Sequence, residues 1–207
     1  MLAGVKRMAN KQAFIFQVLC FCLVVISINA QAIESSIQLH KVDQDKSFGY
    51  SLSIGDEFFK QKTFNWQVSY NRLENVAIAD LDETSDTWDK AGFDFSVQTV
   101  ELSLGYRYYP RSYDKFISSL MFEVQAGAAV NLTEHKLVFR PDFDRDDIYY
   151  AEQGDINPVL SITMQKSFTK NSAIHFGLKH YPSYSEFGSI TTIFIGFNYR
   201  FGRQLAY

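Results

Sequence analysis

The chain has 207 residues, of which 46% are apolar, 16% aromatic and 21% charged, and its formal net charge is −3. This length fits one domain, and the apolar content excludes a disordered chain. Beyond residue 30 no apolar run reaches the ~20 residues that a membrane-spanning helix needs, and no basic block indicates nucleic acid as a partner.

Residues 1–32 have the pattern of a cleaved signal peptide. The segment begins with three basic residues, Lys6, Arg7 and Lys11. An apolar stretch over 13–28 follows, and Ala30-Gln31-Ala32 supplies a small-x-small cleavage site. The alternative is an uncleaved N-terminal anchor. Cleavage would leave 33–207 as one mature domain, with 17 basic against 23 acidic residues and no cysteine.

The rest of the chain alternates between apolar and polar residues with period two, which predicts β-strands. In chain order, eight such segments run over 34–42, 48–55, 64–71, 100–109, 120–130, 160–165, 174–179 and 192–201. In the fourth segment, Leu102 and Leu104 share one face and Glu101 and Ser103 share the other. No segment shows a comparable helical stripe, so we predict an all-β fold.

The predicted connections alternate between short and long. Turns at 58–62, 110–115 and 169–172 are short, whereas 74–95 and 132–156 are long, polar and acidic. Short turns at one end and longer loops at the other are typical of outer-membrane barrels, whose turns face the periplasm. An even number of strands also returns both chain ends to the same side.

The composition of the two strand faces decides between a soluble and a membrane barrel. The polar faces are rich in Gly, Ser, Asn and Gln and carry only single charges, such as Glu101, Arg107, Glu123, Lys179 and Arg200. Water-facing strands of a soluble protein usually carry many more Lys and Glu, whereas small residues and isolated opposite charges suit a narrow barrel interior. We therefore predict a closed antiparallel up-and-down transmembrane β-barrel in the outer membrane of a Gram-negative cell, with its apolar faces on lipid. A soluble periplasmic barrel or sandwich is the alternative.

The last predicted strand agrees with this interpretation. Residues 196–201 read GFNYRF, which resembles the terminal strand of outer-membrane proteins, although 202–207 extend beyond it. The interior of an eight-stranded barrel is just wide enough for its own side chains, so no open pore is expected. Two functions fit: a structural or surface-binding role through loops 74–95 and 132–156, with membrane lipid and lipopolysaccharide as partners, or an enzyme that acts on lipid from the outer wall.

No cofactor or metal site is predicted. The four histidines do not pair with one another or with cysteine at metal-binding spacing. The acidic stretch Asp142–Asp147 begins like a calcium loop, but Asp147 stands where that loop needs glycine. We interpret the stretch as part of a solvated loop.

One segment favours the enzyme. Residues 174–201 include His180-Tyr181-Pro182-Ser183 near the end of the penultimate strand. The segment resembles the lipid A deacylases, eight-stranded outer-membrane barrels that hydrolyse an ester-linked acyl chain of lipopolysaccharide and carry a His-x-Ser-Asn motif at this place. The resemblance implies His180 as general base, Ser183 as nucleophile and Glu186 as the carboxylate that orients the imidazole.

The alternation of the strand limits this hypothesis. Counting by twos from Ile174 puts His180 on the lipid-facing side at the extracellular end. Ser183 would point inward in a regular strand, and a bulge at Pro182 is needed to bring it to the lipid side. In addition, Tyr184 stands where the family has Asn, and the family's Glu lies farther along than Glu186, near Ser189.

Overall fold

The computed structural model describes residues 33–43, 46–58, 63–76, 95–137, 148–184 and 187–201. Residues 1–32 lie outside this part of the chain, so the signal peptide stays a prediction. None of the helices in the described ranges is long and apolar enough to cross a bilayer.

Eight of the described strands close into an antiparallel barrel, in which each strand pairs with its neighbours along the chain. They are β1 (Ile33–Val42), β2 (Phe48–Glu57), β3 (Phe64–Val76), β4 (Phe95–Tyr108), β5 (Leu120–Asn131), β8 (Ile156–Ser167), β9 (Ser172–Tyr181) and β10 (Ile190–Phe201). Between β5 and β8, strands β6 (His135–Leu137) and β7 (Ile148–Ala151) form a separate two-stranded sheet. Pairing of β1 with β10 closes the ring. The predicted eight-stranded all-β barrel is confirmed.

The connections define the two ends of the barrel. Segments 58–63, 109–119 and 168–171 join strands at the end where β1 begins and β10 ends. At the opposite end, the long connections 77–94 and 132–155 join the end of β3 to the start of β4 and the end of β5 to the start of β8. Because outer-membrane barrels have short periplasmic turns and long extracellular loops, the first end is periplasmic and the second is extracellular.

The apolar residues of the strands point outward. Leu104 is 58% exposed and Phe197 is 45% exposed, whereas Glu101 and Arg200 on the opposite face are 2% exposed. A soluble barrel would show the reverse arrangement, because exposing such a continuous apolar wall to water is unfavourable. The wall therefore faces hydrocarbon, as the sequence predicts.

Aromatic side chains lie on the wall near both ends. Towards the periplasm, Phe64 packs edge-on against Tyr106 with 5.5 Å between ring centroids, and Tyr199 and Phe201 lie 4.8 Å apart. Towards the extracellular end, the ring centroids of Tyr50 and Tyr70 lie 6.4 Å apart. Amphipathic rings at both levels are the aromatic girdles of a transmembrane barrel.

The structure differs from the prediction mainly in the connections. Strands β3 and β4 are longer than predicted and pair as far as Val76 with Phe95, beyond a register shift after Leu73 that interrupts the alternation. The predicted loop 132–156 contains β6 and β7. Next to the predicted turn 110–115, a single helical turn, α1 (Lys115–Ser118), begins after Asp114, whose carboxylate accepts a hydrogen bond from the Phe116 amide at 2.6 Å.

Candidate functional site

Charged side chains fill the periplasmic half of the interior. We call this group the periplasmic ion network; it comprises Glu34, Glu57, Arg107, Glu123 and Arg200. Arg107 pairs with Glu34 at 2.7 Å and with Glu123 at 2.8 Å, and all three side chains are buried. Arg200 pairs with Glu57 at 2.8 Å and with Glu34 at 3.3 Å. Such buried charges are tolerated because each is paired and hydrogen-bonded.

A second buried ion pair lies nearer the extracellular end. The Lys179 ammonium donates to the Glu101 carboxylate at 2.9 Å and to the Asn71 amide oxygen at 3.0 Å. The Tyr181 hydroxyl donates to the other oxygen of Glu101. The inward placement of Glu101 and Lys179 agrees with the prediction.

Between these charged groups, two histidines and an aromatic ring occupy the interior. His40 shares hydrogen bonds with the hydroxyls of Ser51 at 2.9 Å and Thr192 at 3.1 Å. The Phe194 ring packs against His40 at 5.4 Å and against His175 at 5.9 Å. Both histidines act as polar core residues.

The interior leaves little free space. It contains a polar cavity of about 40 Å³, lined by residues that include Arg107, Glu123, His175 and Lys179. At ~10–15 Å³ for each water centre, this is room for roughly three water molecules. Within the described residues, the barrel therefore has no passage for a solute, as its strand number implies.

The extracellular end is closed by apolar side chains that point into the barrel. We call them the mouth cluster; they are Val42, Leu73, Val76, Val97, Ala129, Ala151, Val159, Tyr181, Tyr184, Phe187 and Ile190. Tyr184 and Phe187 come from the connection 182–189, and both are completely buried. The Phe187 ring packs against Tyr184 at 6.1 Å and against Phe95 at 5.7 Å. The connection between β9 and β10 thus folds inward and plugs the mouth.

Hydrogen bonds fix this plug. The Tyr184 amide donates to the Gly188 carbonyl at 2.8 Å, and the Phe187 amide donates to the Tyr184 carbonyl at 3.0 Å. The Tyr184 hydroxyl donates to the Asn131 amide oxygen at 2.5 Å. Burial raises the pKa of this hydroxyl far above its usual range, and the carboxylates of Glu101 and Asp155 raise it further. The hydroxyl therefore stays protonated and remains a donor.

The mouth cluster was not predicted from the sequence. Its signal is present in the chain: Tyr181, Tyr184 and Phe187 recur at intervals of three in an otherwise polar connection. An interval of three is not the period of a strand, and the connection is too short to form a regular helix. Strand periodicity therefore does not reveal these residues.

The structure describes two of the three residues of the deacylase motif. His180 lies on the outer face of β9, half-buried, and its Nδ1 shares a hydrogen bond with the Thr191 hydroxyl of β10 at 2.9 Å. Ser183 is exposed beyond the end of β9. Strand β9 ends at Tyr181, so the alternation ends there and no bulge at Pro182 is needed to set the direction of Ser183. Glu186 lies outside the described residues.

Solved structures of other proteins share the fold of this chain. No protein-family model matches the chain, and no curated protein matches it. Among solved structures, the N-terminal β-barrel domain of OprF from Pseudomonas aeruginosa aligns with a TM-score of 0.53 and 14% identity, over 83% of this chain and 98% of that domain. Neisserial surface protein A aligns with a TM-score of 0.47 and 13% identity, over 81% and 95% of the two chains. Ail of Yersinia pestis aligns with a TM-score of 0.46 and 14% identity, over 82% and 97%.

At this level of identity the alignment with OprF shows the fold alone. It agrees with the closed ring of eight strands, the apolar outer wall and the polar interior. The chain is therefore an integral β-barrel protein of the outer membrane, without an open pore in the described part of the barrel.

Proposed function

We propose that this protein is a non-conducting outer-membrane barrel that acts through its extracellular surface. The observation that supports this proposal is the mouth cluster, which closes the barrel above an interior already filled by ion pairs. A barrel sealed in this way has its outer wall and its loops as working surfaces.

The mouth cluster also holds the two ends of loop 132–156 in place. Ala151 at the end of β7 is buried in the same cluster as Val97 and Val159 of the barrel strands. At the start of β6, His135 shares a hydrogen bond with the Ser96 carbonyl at 2.8 Å and packs against Phe95 at 5.0 Å. Loop 132–156 therefore emerges from the barrel with both of its stems anchored.

Lipopolysaccharide is the surface partner that the chemistry of the loops favours. Acidic residues concentrate in 74–95 and 132–156, including Asp80, Asp82 and Asp144. Divalent cations held between these carboxylates and lipopolysaccharide phosphates would join the loops to the membrane surface, since hard cations prefer oxygen ligands from both sources.

Loop replacement combined with conductance measurement tests the proposal. Replacing 80–90 or 139–146 with a Gly-Ser linker of equal length should weaken binding to lipopolysaccharide-coated surfaces in the presence of Mg²⁺ and leave the barrel folded. Both segments spare Ala151 and hence the mouth cluster. Planar bilayers with the unaltered protein should show no unit conductance. Regular conductance steps, or binding that both replacements leave unchanged, would contradict the proposal.

Lipid A deacylation is the second candidate. The outward position of His180 near the extracellular end of β9, with Ser183 exposed just beyond, favours it. At this depth an ester of lipid A would be within reach of the imidazole, and Ser183 would be the attacking group.

Mass spectrometry of extracted lipid A decides between the candidates. Expression of an active deacylase removes one ester-linked acyl chain, and Ser183→Ala abolishes that change while the barrel still folds. Ser112→Ala, at an exposed serine of a periplasmic turn, is the matched control. An unchanged acyl pattern with well-folded protein rejects the enzyme and leaves the surface role.

A further inference from the structure

The outer wall carries a groove of about 580 Å³ across four neighbouring strands, β10, β1, β2 and β3. Two cross-strand rows line it: Tyr199, Ser35, Ile54 and Val68 in one, and Phe197, Ile37, Leu52 and Tyr70 in the other. Its volume is within the ~300–1,000 Å³ that is usual for small-molecule sites.

Ser35 accounts for the depth of the groove. It is the smallest side chain of its row, and it lies between the much larger Tyr199 and Ile54. Its hydroxyl donates to the Tyr199 carbonyl at 3.4 Å, so its proton is directed to the backbone of the barrel. Ser36 and Ser53 also border the groove, but their hydroxyls hydrogen-bond to each other at 2.5 Å, and the other lining residues are aliphatic or aromatic. A ligand for this groove is therefore apolar.

The position of the groove identifies the leaflet. Ser35 is the third residue of β1 and Tyr199 is the third from the end of β10, both counted from the periplasmic end. With a rise of about 3.3 Å per residue and a tilt of about 40°, the first row lies roughly 5–8 Å above the strand ends. Across four strands the groove is about 14 Å wide perpendicular to the strands, which at the same tilt is a rise of about 9 Å along the membrane normal and fits within the ~15 Å of one hydrocarbon leaflet.

We propose that this groove binds one acyl chain of a phospholipid in the periplasmic leaflet, with Tyr199 at the level of the lipid ester groups. The apolar lining, the notch at Ser35 and the depth at the periplasmic girdle all fit that occupant. This site does not depend on the surface role or on deacylation, because it lies on the opposite half of the barrel wall.

Native mass spectrometry of the full barrel, released from nanodiscs of palmitoyl-oleoyl phosphatidylethanolamine, tests the proposal. Ser35→Leu fills the space between Tyr199 and Ile54 with an apolar side chain, which is compatible with the lipid-facing side of the barrel. Ala126→Leu makes a similar addition on β5, which lies opposite β1 in the ring, at another small, exposed outward residue. The heat-dependent gel shift of a folded barrel verifies both variants.

We expect one phospholipid to remain on the unaltered protein and on the Ala126→Leu variant. In the Ser35→Leu variant, the leucine should exclude one or two methylene groups of the acyl chain from the groove. This should lower the retention of phospholipid roughly four- to fifteenfold. Equal retention in all three proteins would overturn the proposal. So would a lipid-free dimer that Ser35→Leu dissociates, because the groove would then seat a second copy of the chain.

Discussion

Replacement of Arg107 by methionine tests whether the periplasmic ion network holds the barrel together. Methionine keeps much of the side-chain length and removes both ion pairs of the guanidinium, with Glu34 at 2.7 Å and Glu123 at 2.8 Å. Removing one partner of a buried ion pair typically costs about 3–5 kcal/mol, because the other charge stays buried without compensation.

The structure indicates that Arg107→Met lowers the free energy of unfolding by an amount in the lower part of this range. Glu34 keeps Arg200 at 3.3 Å and a hydrogen bond from Asn198 at 2.8 Å, so its charge stays compensated. Glu123 loses the guanidinium and keeps neutral donors, including the Asn65 amide at 2.9 Å. Only one carboxylate is then left without a cation, so we expect the free energy of unfolding to fall by about 3 kcal/mol.

Urea unfolding in lipid vesicles, followed by tryptophan fluorescence, measures this free energy. In a double-mutant cycle, Glu123→Gln removes the stranded charge, so the double variant should be more stable than Arg107→Met alone by about 2 kcal/mol. A loss below about 0.5 kcal/mol for Arg107→Met, or no coupling between the two positions, would refute the reasoning, since surface pairs give effects of that size.

Four further substitutions test the wall, the close packing of the interior and the mouth. Leu102→Arg places a charge on the exposed apolar face and should destabilise the barrel by about 2–4 kcal/mol in the same urea assay, whereas Tyr108→Arg at the periplasmic girdle should cost only about 0–1 kcal/mol. Gly196→Ala should cost about 1–3 kcal/mol, because the added Cβ would lie 2.5 Å from both the His175 ring and a backbone carbonyl of β1. Phe187→Ala empties part of the mouth cluster and should cost about 3 kcal/mol. It should leave planar-bilayer conductance at zero, because the ion pairs beneath stay in place.

The sequence was sufficient for the strands and for the orientation of their faces. Alternation with period two predicted all eight barrel strands, and the contrast between Leu104 outside and Glu101 inside follows from it. These features are local, because each depends on neighbouring residues of one strand. The extracellular part of β3 was missed, because the register shift after Leu73 interrupts the alternation there.

The mouth cluster and the ion network could not be predicted in the same way. Glu34 and Arg107 are 73 residues apart in the chain, and their contact depends on how the strands are staggered when the ring closes. Tyr184 and Phe187 belong to a connection, where no period constrains the side-chain direction. Contacts of this kind require the closed ring, whereas the charged residues that enter them could be picked out as isolated charges on polar faces.

The interior ion pairs link barrel strands to one another without involving the extracellular loops. Arg107 on β4 reaches Glu34 on β1, and Lys179 on β9 reaches Glu101 on β4. In each case the two strands are three places apart in the ring, so backbone hydrogen bonds do not join them. These links fix the cross-section of the barrel from within, and the mouth cluster separates them from the extracellular loops. We therefore expect that replacement of segments 80–90 and 139–146 leaves most of the folding free energy of the barrel in place.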